Sequence, residues 1–314
     1  MRMERFFKIF EVPDAAKSVI DRIVNKEEIE LLEAVGSGSF SAEDAAAALK
    51  KKGKAMTADR LNRLLRSAYR RGVIRLEDES FTKFRTGRFY DRLDVFAVTE
   101  NETYRSFPPE VRKALDNWYF DAYLGSLGGG PRPTGDRVLT LQQAFGRIDK
   151  ADRQIWLNKC DCRSLSGGCG KPLDTCLTLK GGINTLAHRG WSQPLTKEQA
   201  KQVVAKANRA GLVQTANPNG MCNCCGDCCY LFRAQRARHS EGVWPRADFI
   251  ASFRKSACIA CGRCVKRCNF GAFTRGKDGI AYDPGRCRGC GLCVTTCPKA
   301  AITLERRAQD GDGG

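Results

Sequence analysis

Eight cysteines near the end of the chain form a doubled motif in which each half reads C-x2-C-x2-C-x3-C. They are Cys258, Cys261, Cys264 and Cys268 in the first half and Cys287, Cys290, Cys293 and Cys297 in the second. In runs with this spacing, three thiolates hold three corners of an iron–sulfur cubane and the fourth serves a neighbouring cluster. The motif therefore constrains the cofactor more tightly than it constrains the fold.

The two halves are an internal repeat with an offset of 29 residues. The offset relates apolar residues as well as cysteines, because Val265 corresponds to Val294 and Ala272 to Ala301. Short apolar runs precede and follow each half, which predicts two small hairpins enclosing two short helices. Residues 247–306 resemble a two-cluster 4Fe-4S ferredoxin.

This resemblance implies two crossed ligand sets. One 4Fe-4S cluster would be held by Cys258, Cys261, Cys264 and Cys297, and the other by Cys287, Cys290, Cys293 and Cys268. Asn269 stands where the first half would usually carry proline. The departure removes a rigid turn and leaves the ligands in place.

Disulfides and zinc are the alternatives for these cysteines. A disulfide framework needs an oxidising compartment, whereas the segment Met1–Lys8 lacks a sustained apolar stretch for export. Structural zinc sites are usually assembled from paired C-x2-C units with four ligands. The uninterrupted run of four cysteines in each half fits iron–sulfur better.

Nine further cysteines lie between residues 160 and 229. Unbound thiols at this density would be prone to oxidation, so the sequence predicts that a metal holds them. Adjacent cysteines such as Cys224 and Cys225 point in different directions, which argues against both serving one metal corner. The count allows two more four-ligand sites and one spare thiol, so one or two additional iron–sulfur clusters are predicted, with zinc as the alternative. The candidates are Cys160, Cys162, Cys169, Cys176, Cys222, Cys224, Cys225, Cys228 and Cys229.

The order of the cysteine blocks extends the resemblance upstream. Cys160-Asp-Cys-Arg is followed by Gly168-Cys-Gly-Lys-Pro-Leu-Asp-Thr-Cys176, then by Ala210-Gly-Leu-Val-Gln-Thr and by Cys222-Asn-Cys-Cys-Gly-Asp-Cys-Cys. Together with the doubled motif, this arrangement covers residues 138–306, about half of the chain. It resembles a family of 4Fe-4S dicluster-domain proteins of anaerobic bacteria and archaea. The family implies electron transfer and supplies no settled substrate.

The whole sequence predicts an α+β multi-domain protein. Residues 1–105 carry three amphipathic helices, the first ending at Val35 and the others capped by Ser41 and Thr57. Strand-like segments at Gly72–Leu76 and Phe89–Val98 follow, and the region resembles a winged-helix domain.

Four further regions complete the predicted organisation. Residues 106–135 predict a connecting helix and a Gly/Pro linker. Residues 136–246 predict a small cysteine-rich α/β domain, with a helix at Leu139–Lys150, a strand at Gln154–Asn158, a helix capped by Thr196 and a strand at Leu212–Val213. The ferredoxin-like domain at 247–306 precedes a predicted disordered tail at 307–314.

Basic residues raise an alternative function. The segment from Lys50 to Arg75 has ten basic residues and one acidic residue. Within it, Arg60, Arg63, Arg66 and Arg70 follow helical spacing. Such a face is typical of DNA binding, since phosphate neutralisation supplies most non-specific affinity. A solvated face on a protein-binding domain explains the same pattern, and no base-reading motif is present.

Most of the net positive charge lies in the cysteine-rich part. Residues 159–314 hold 25 basic and 11 acidic residues, whereas residues 1–158 hold 28 and 24. Part of this charge would offset thiolate-ligated clusters, and the rest would steer an acidic redox partner; solubility alone is the alternative explanation. Positive charge beside the ligands should favour a reduced cluster and raise its potential. The residues beside the ligands are Arg263, Lys266, Arg267, Arg286 and Arg288.

The sequence gives no support for catalysis by the chain alone or for a membrane span. Its two histidines, His188 and His239, belong to no catalytic constellation, and no phosphate-binding loop or run of 18 apolar residues occurs. We therefore predict a cytoplasmic iron–sulfur carrier or electron-transfer subunit that passes single electrons to or from an oxidoreductase partner. The alternative is a redox-sensing DNA-binding regulator that uses the basic winged helix.

Overall fold

The computed structural model describes residues 3–307, which separate into two compact units. The first unit contains the residues up to Ala122 together with Ser164–Ser166 and Gly181–Gln193. The second contains Tyr123–Arg163, Gly167–Lys180 and the residues from Pro194 onward, and it holds all 17 cysteines. The predicted disordered tail lies outside the described residues except for Arg307.

The first unit is mainly helical. Its helices are α1 (Glu4–Ile9), α2 (Asp14–Lys17), α3 (Ile20–Ile23), α4 (Lys26–Val35), α5 (Ala42–Lys51), α6 (Ala58–Arg70), α7 (Phe89–Thr99), α8 (Asn101–Arg105) and α9 (Pro109–Ser126), the last of which continues past Ala122. Strands β1 (Ser39–Ser41), β2 (Ile74–Leu76) and β3 (Lys83–Thr86) form an antiparallel sheet in the order β1-β3-β2. Among residues 3–307, no helix is long and apolar enough to cross a bilayer.

Capping residues place the three helices that the sequence predicts in this unit. Asn25 and Ser41 form capping boxes with the residues three positions later, and the Thr57 side chain accepts from the Arg60 amide. Each such cap typically contributes about 1 kcal/mol. The buried face of α6 includes Leu61 and Leu65, at the spacing expected for an amphipathic helix.

The strand predicted at Phe89–Val98 is wrong, because this segment is helix α7. Its aromatic and β-branched residues favour a strand. However, Phe89, Leu93 and Phe96 recur at helical spacing and are completely buried. Burial of that face decides the conformation, and β3 is the strand that pairs with β2.

A seven-stranded sheet forms the centre of the second unit, in the order β10-β4-β8-β9-β6-β5-β7. Its strands are β4 (Arg137–Leu139), β5 (Ile155–Lys159), β6 (Asp174–Thr178), β7 (Gln193–Leu195), β8 (Val213–Asn217), β9 (Gly220–Cys224) and β10 (Arg246–Ala247). Helices α10 (Leu141–Asp149), α11 (Asp161–Ser166), α12 (Lys197–Arg209) and α13 (Tyr230–Ala237) connect them, and the last three residues of α11 are assigned to the first unit. Ile148 of α10 and Val204 of α12 share a buried core with Met221 of β9. The helices and strands predicted for this region are confirmed.

Residues 247–306, called the terminal module below, contain two small sheets. Strand β11 (Phe249–Phe253) pairs antiparallel with β14 (Ile302–Arg306), and β12 (Phe273–Gly276) pairs with β13 (Gly279–Tyr282). The first predicted helix is α14 (Arg263–Arg267), whereas the second is a 3-10 turn at Val294–Thr296. All three residues of that turn are β-branched, which disfavours a longer helix.

Candidate metal centres

Four cysteines of the terminal module line one cavity. They are Cys258, Cys261, Cys264 and Cys297. The other residues that line the cavity are largely apolar. The pairing of β11 with β14 brings the two ends of the module together, since Phe253 lies opposite Ile302. The fold thus places the last cysteine of the second half beside three cysteines of the first.

Backbone amides donate to cysteine sulfurs at positions that repeat with the offset of the motif. The pairs are Ala260 to Cys258, Ala272 to Cys268 and Ala301 to Cys297 at 3.3 Å, and Gly289 to Cys287 at 3.4 Å. Such donors stabilise negative charge on sulfur, and hydrogen bonds to the sulfurs tune the potential of a cluster. The two halves therefore share these backbone donors, whereas the Cys287 sulfur also accepts from the Ala251 amide at 3.4 Å.

Cys268 lies close to the second half of the motif. Burial is the main reason that the pKa values of Cys290 and Cys293 are raised, that of Cys290 to about 12, and the charge of Cys268 contributes to both. Cys268 also packs against the core cluster that contains Cys287 and Cys293, a cluster that includes Cys264 and is contacted by Cys258 and Cys297. Cys268 is therefore placed to act with the cysteines of the second half.

Two of the basic residues beside the motif make hydrogen bonds to other segments of the chain. Arg288 is buried and donates from Nε to Gln235 Oε1 at 2.9 Å. Arg267 donates to the carbonyl oxygens of Asn208 and Arg209 at 2.6 and 2.5 Å. By contrast, the side chains of Arg263, Lys266 and Arg286 are exposed.

Strands β6 and β9 bring three upstream cysteines onto one face of the central sheet. Cys222 and Cys224 are two residues apart in β9, so their side chains share a face. The antiparallel register pairs Leu177 with Met221, which places Cys176 opposite Cys222. Met221 faces the helices in the core, so these cysteines lie on the opposite face.

Three more cysteines join this group from the ends of neighbouring elements. Cys160 follows β5 and is the N-cap of α11, Cys162 lies in the first turn of α11, and Cys229 is the N-cap of α13. Hydrogen bonds between thiols connect each of the six to two others and close a ring. We call this set the six-thiol ring; its members in order are Cys160, Cys162, Cys229, Cys224, Cys222 and Cys176.

Hydrogen bonding within the six-thiol ring favours negative charge at two positions. Bonds from Cys176 and Cys224 lower the pKa of Cys222 to about 6. Bonds from Cys162 and Cys224 lower the pKa of Cys229. Thiol hydrogen bonds and burial raise the pKa values of the other four, Cys160, Cys162, Cys176 and Cys224. Metals bind thiolates, so a metal centre here would have to displace protons from these four thiols. Asp161 lies beside Cys160 and Cys162, with its ligand atom within 4.8 Å of theirs.

Arg163 fixes a positive charge beside the ring. Its side chain is buried and donates to the carbonyl oxygens of Pro172 at 3.0 Å and Asn223 at 2.7 Å, and to the Thr175 hydroxyl. Burial lowers the pKa of Arg163, but the negative charge of nearby thiolates, Cys160 foremost, raises it above its ordinary value. The guanidinium thus connects α11 to β6 and β9 while balancing charge on the ring.

The other three upstream cysteines form a separate group, called the three-thiol site. The sulfur atoms of Cys169, Cys225 and Cys228 lie within 4.8 Å of one another. The Cys225 sulfur accepts from the Cys228 amide at 3.2 Å. The hydrogen bond from the Cys228 thiol is the main cause that lowers the pKa of Cys225 to about 5. Each adjacent cysteine pair is therefore divided between the two sites.

The loop of the three-thiol site packs against the residue after Cys268. A Cβ on Gly226 would lie 3.0 Å from the Cβ of Asn269 and closer still to its carbonyl oxygen. Lys171 Nζ donates to Asn269 Oδ1 at 2.8 Å and to the Gly211 carbonyl oxygen at 3.0 Å. Asn269 Nδ2 donates to the same Gly211 oxygen at 2.8 Å. The asparagine that replaces the usual proline thus joins the terminal module to the three-thiol site.

The terminal module has a known counterpart. Residues 257–301 match the 4Fe-4S dicluster domain family. This match spans all eight cysteines of the doubled motif and implies an iron–sulfur electron-transfer role for the module. No curated protein and no solved structure matches the chain.

The sequence prediction and the structure differ on how the upstream cysteines divide. The cysteine count allows two four-ligand sites and one spare thiol, whereas the structure shows a group of six and a group of three. Sequence reasoning also misses Arg163, Lys171 and Asn269 as supporting residues. Arg163 and Asn269 have a local signal, because each directly follows a cysteine and Asn269 departs from the usual proline.

Proposed function

We propose that the chain is an iron–sulfur electron-transfer protein that exchanges single electrons with an oxidoreductase partner. One 4Fe-4S cluster is held by Cys258, Cys261, Cys264 and Cys297, and the other by Cys287, Cys290, Cys293 and Cys268. The cavity that Cys297 shares with three cysteines of the first half is the observation that supports this function best. The clusters supply one-electron chemistry, and the protein positions them and limits their contact with water.

Electrons enter or leave at the edge of the first cavity. Cys261 is exposed there, and the adjacent Ile259 is 57% exposed. Together, these two residues give a partner access to the edge of the first cluster. The exposed basic residues Arg263 and Lys299 lie in the lining of the same cavity, which favours an acidic partner.

The three-thiol site extends the electron route into the protein. Its loop contacts Asn269, which follows Cys268. A further iron–sulfur cluster on Cys169, Cys225 and Cys228 would therefore adjoin the second cluster of the terminal module. The fourth corner of that cluster takes a ligand other than these three thiols.

Electron transfer from the full chain tests this function. The protein is purified anaerobically, reduced with dithionite and mixed in a stopped-flow instrument with an acidic one-electron carrier, such as a flavodoxin. We expect rapid transfer that slows as salt is added, because steering between opposite charges is screened. Replacement of Arg263 and Lys299 by glutamate should slow transfer by roughly tenfold or more at low salt.

A matched control separates local from global charge. Lys51→Glu with Lys52→Glu changes the net charge equally, but these exposed residues belong to the first unit. This variant should transfer electrons at nearly the wild-type rate. If the purified protein contained no reducible cluster, the proposed function would be wrong. If both variants slowed transfer equally, the proposed docking edge would be wrong.

A further inference from the structure

The six-thiol ring has more ligands than one ordinary iron–sulfur cluster or one zinc ion can use. A tetrahedral zinc ion takes four protein ligands, and a cubane has four iron corners to which terminal thiolates bind. The ring encloses six thiols, all drawn from β6, β9 and the residues at the starts of α11 and α13. A single ordinary cluster would leave two of them without metal.

The hydrogen bonds within the ring do not separate four metal ligands from two thiols that bind no metal. Each thiol is hydrogen bonded to two others, so the set is closed and every member has the same connectivity. Three of the members, Cys160, Cys224 and Cys229, are no more than 5% exposed, and the other three are partly buried. The three remaining upstream cysteines have their own site.

Two linked iron–sulfur units account for this ligand number. When two cubanes share one bridging sulfide, each has one iron bonded to the bridge and three irons left for thiolates. Such a pair therefore needs three thiolates for each unit. The positive charge of Arg163, buried against the strands that carry the ring, would offset part of the thiolate charge.

We propose that the six-thiol ring binds one polynuclear iron–sulfur centre with more than four irons, in which two linked units take three thiolates each. This inference rests on the proposed iron–sulfur function of the chain. It adds a centre that differs in kind from the two clusters of the terminal module. The ring adjoins the three-thiol site through the consecutive pairs Cys224-Cys225 and Cys228-Cys229, whose Cα atoms are only about 3.8 Å apart.

The first test is a serine scan of the ring in the full chain. Each of the six cysteines is replaced separately, and the anaerobically reconstituted protein is assayed for iron, sulfide and zinc and examined by Mössbauer and EPR spectroscopy. We expect each replacement to reduce the same spectroscopic component and the iron content assigned to it. Cys169→Ser is the matched control and should leave that component unchanged.

The second test does not depend on how any ring variant folds. Cys225→Ser with Cys228→Ser disables the three-thiol site and leaves both the ring and the terminal module intact. The terminal module accounts for about eight irons, so this variant should bind more than about twelve irons if the ring centre exceeds four. A plateau at about twelve would show an ordinary cubane and overturn the proposal.

The remaining outcomes also decide the matter. Two dispensable ring cysteines, or zinc in place of the expected iron, would overturn the polynuclear iron–sulfur centre. If the EPR signals of the terminal module persist in those experiments, the proposed electron-transfer function survives. Loss of every cluster signal from the wild-type chain would instead contradict both.

Discussion

Individual cysteines in the terminal module act together with residues distant in sequence. Cys297 lines a cavity with Cys258, Cys261 and Cys264 because β11 and β14 pair across the module. The charge of Cys268 likewise helps to raise the pKa values of Cys290 and Cys293. The consequences of a single substitution should therefore follow this spatial arrangement.

Replacement of Cys297 by alanine should alter the cluster associated with Cys258. We expect the EPR spectrum of reduced Cys297→Ala to resemble that of Cys258→Ala, with weakening or loss of one cluster signal. Cys268→Ala is the matched variant and should resemble Cys287→Ala. If the Cys297→Ala spectrum instead resembled that of Cys287→Ala, the crossed ligand sets would be wrong.

Gly226 provides a second test at the scale of one residue. In Gly226→Ala, the new Cβ would press on the Asn269 backbone, so the loop or the module must shift. We expect a loss of about 1–3 kcal/mol in stability, measured as a lower melting temperature of the anaerobic holoprotein. Gly146→Ala, in the middle of α10 with nothing within 4 Å of its new Cβ, should be neutral or stabilising. Equal effects of the two substitutions would show that the close contact with Asn269 is unimportant.

Among the secondary-structure elements, α6 shows how tertiary contacts change the meaning of a charge pattern. The Arg66 guanidinium lies over the Phe81 ring and that of Arg70 over the Trp191 ring, at 4.8 and 4.1 Å from their centroids. Trp191 Nε1 also donates to the Arg70 carbonyl oxygen at 2.6 Å. Part of the basic face of α6 is thus engaged within the first unit, which weakens the case for a DNA-reading helix.

Substitution of the α6 arginines tests the regulator alternative. We expect the wild-type chain to bind duplex DNA weakly, in the non-specific range of about 10⁻⁴–10⁻⁶ M, with strong salt dependence. Arg63→Glu combined with Arg66→Glu and Arg70→Glu should weaken this binding and leave electron transfer unchanged. Fluorescence anisotropy with specific and random duplexes measures the first effect, and stopped-flow transfer measures the second. Tight, sequence-selective binding that responds to cluster oxidation would favour a regulator instead.

For the whole molecule, the cysteines are confined to one of the two compact units. The first unit instead contains a core of aromatic and aliphatic side chains, including Phe6, Phe89 and Phe96, which are completely buried. Thiolate sites couple metal binding to folding, since the bound metal stabilises the folded chain. The two units should therefore respond differently to loss of metal.

Removal of iron should destabilise the second unit selectively. We expect anaerobic chelation to reduce amide protection across the second unit, especially in residues 247–306, while the helices of the first unit keep theirs. Hydrogen exchange with mass spectrometry of the full chain measures both in one sample. Reconstitution with iron and sulfide is the control and should restore protection. A comparable loss of amide protection from both units would contradict the expectation that metal stabilises only the second unit.

Local sequence determined which class of cofactor the terminal module is expected to bind, and where many of the helices and strands lie. Thiolate spacing is read within a few residues, and caps such as Thr57 and Thr196 act within one helical turn. The family match at residues 257–301 confirms the iron–sulfur reading of the doubled motif. The five-part domain division and the resemblance of residues 1–105 to a winged-helix domain stay predictions.

Tertiary structure decided what depends on contacts between distant segments. Burial made Phe89–Thr99 a helix, although its composition favours a strand. The register between β6 and β9, with the starts of α11 and α13, divided the nine upstream cysteines into six and three. Sequence alone predicts that these thiols bind a metal, because the reactivity of a thiol is a local property. Which thiols meet is set by strand pairing, because pairing brings together residues far apart in the chain.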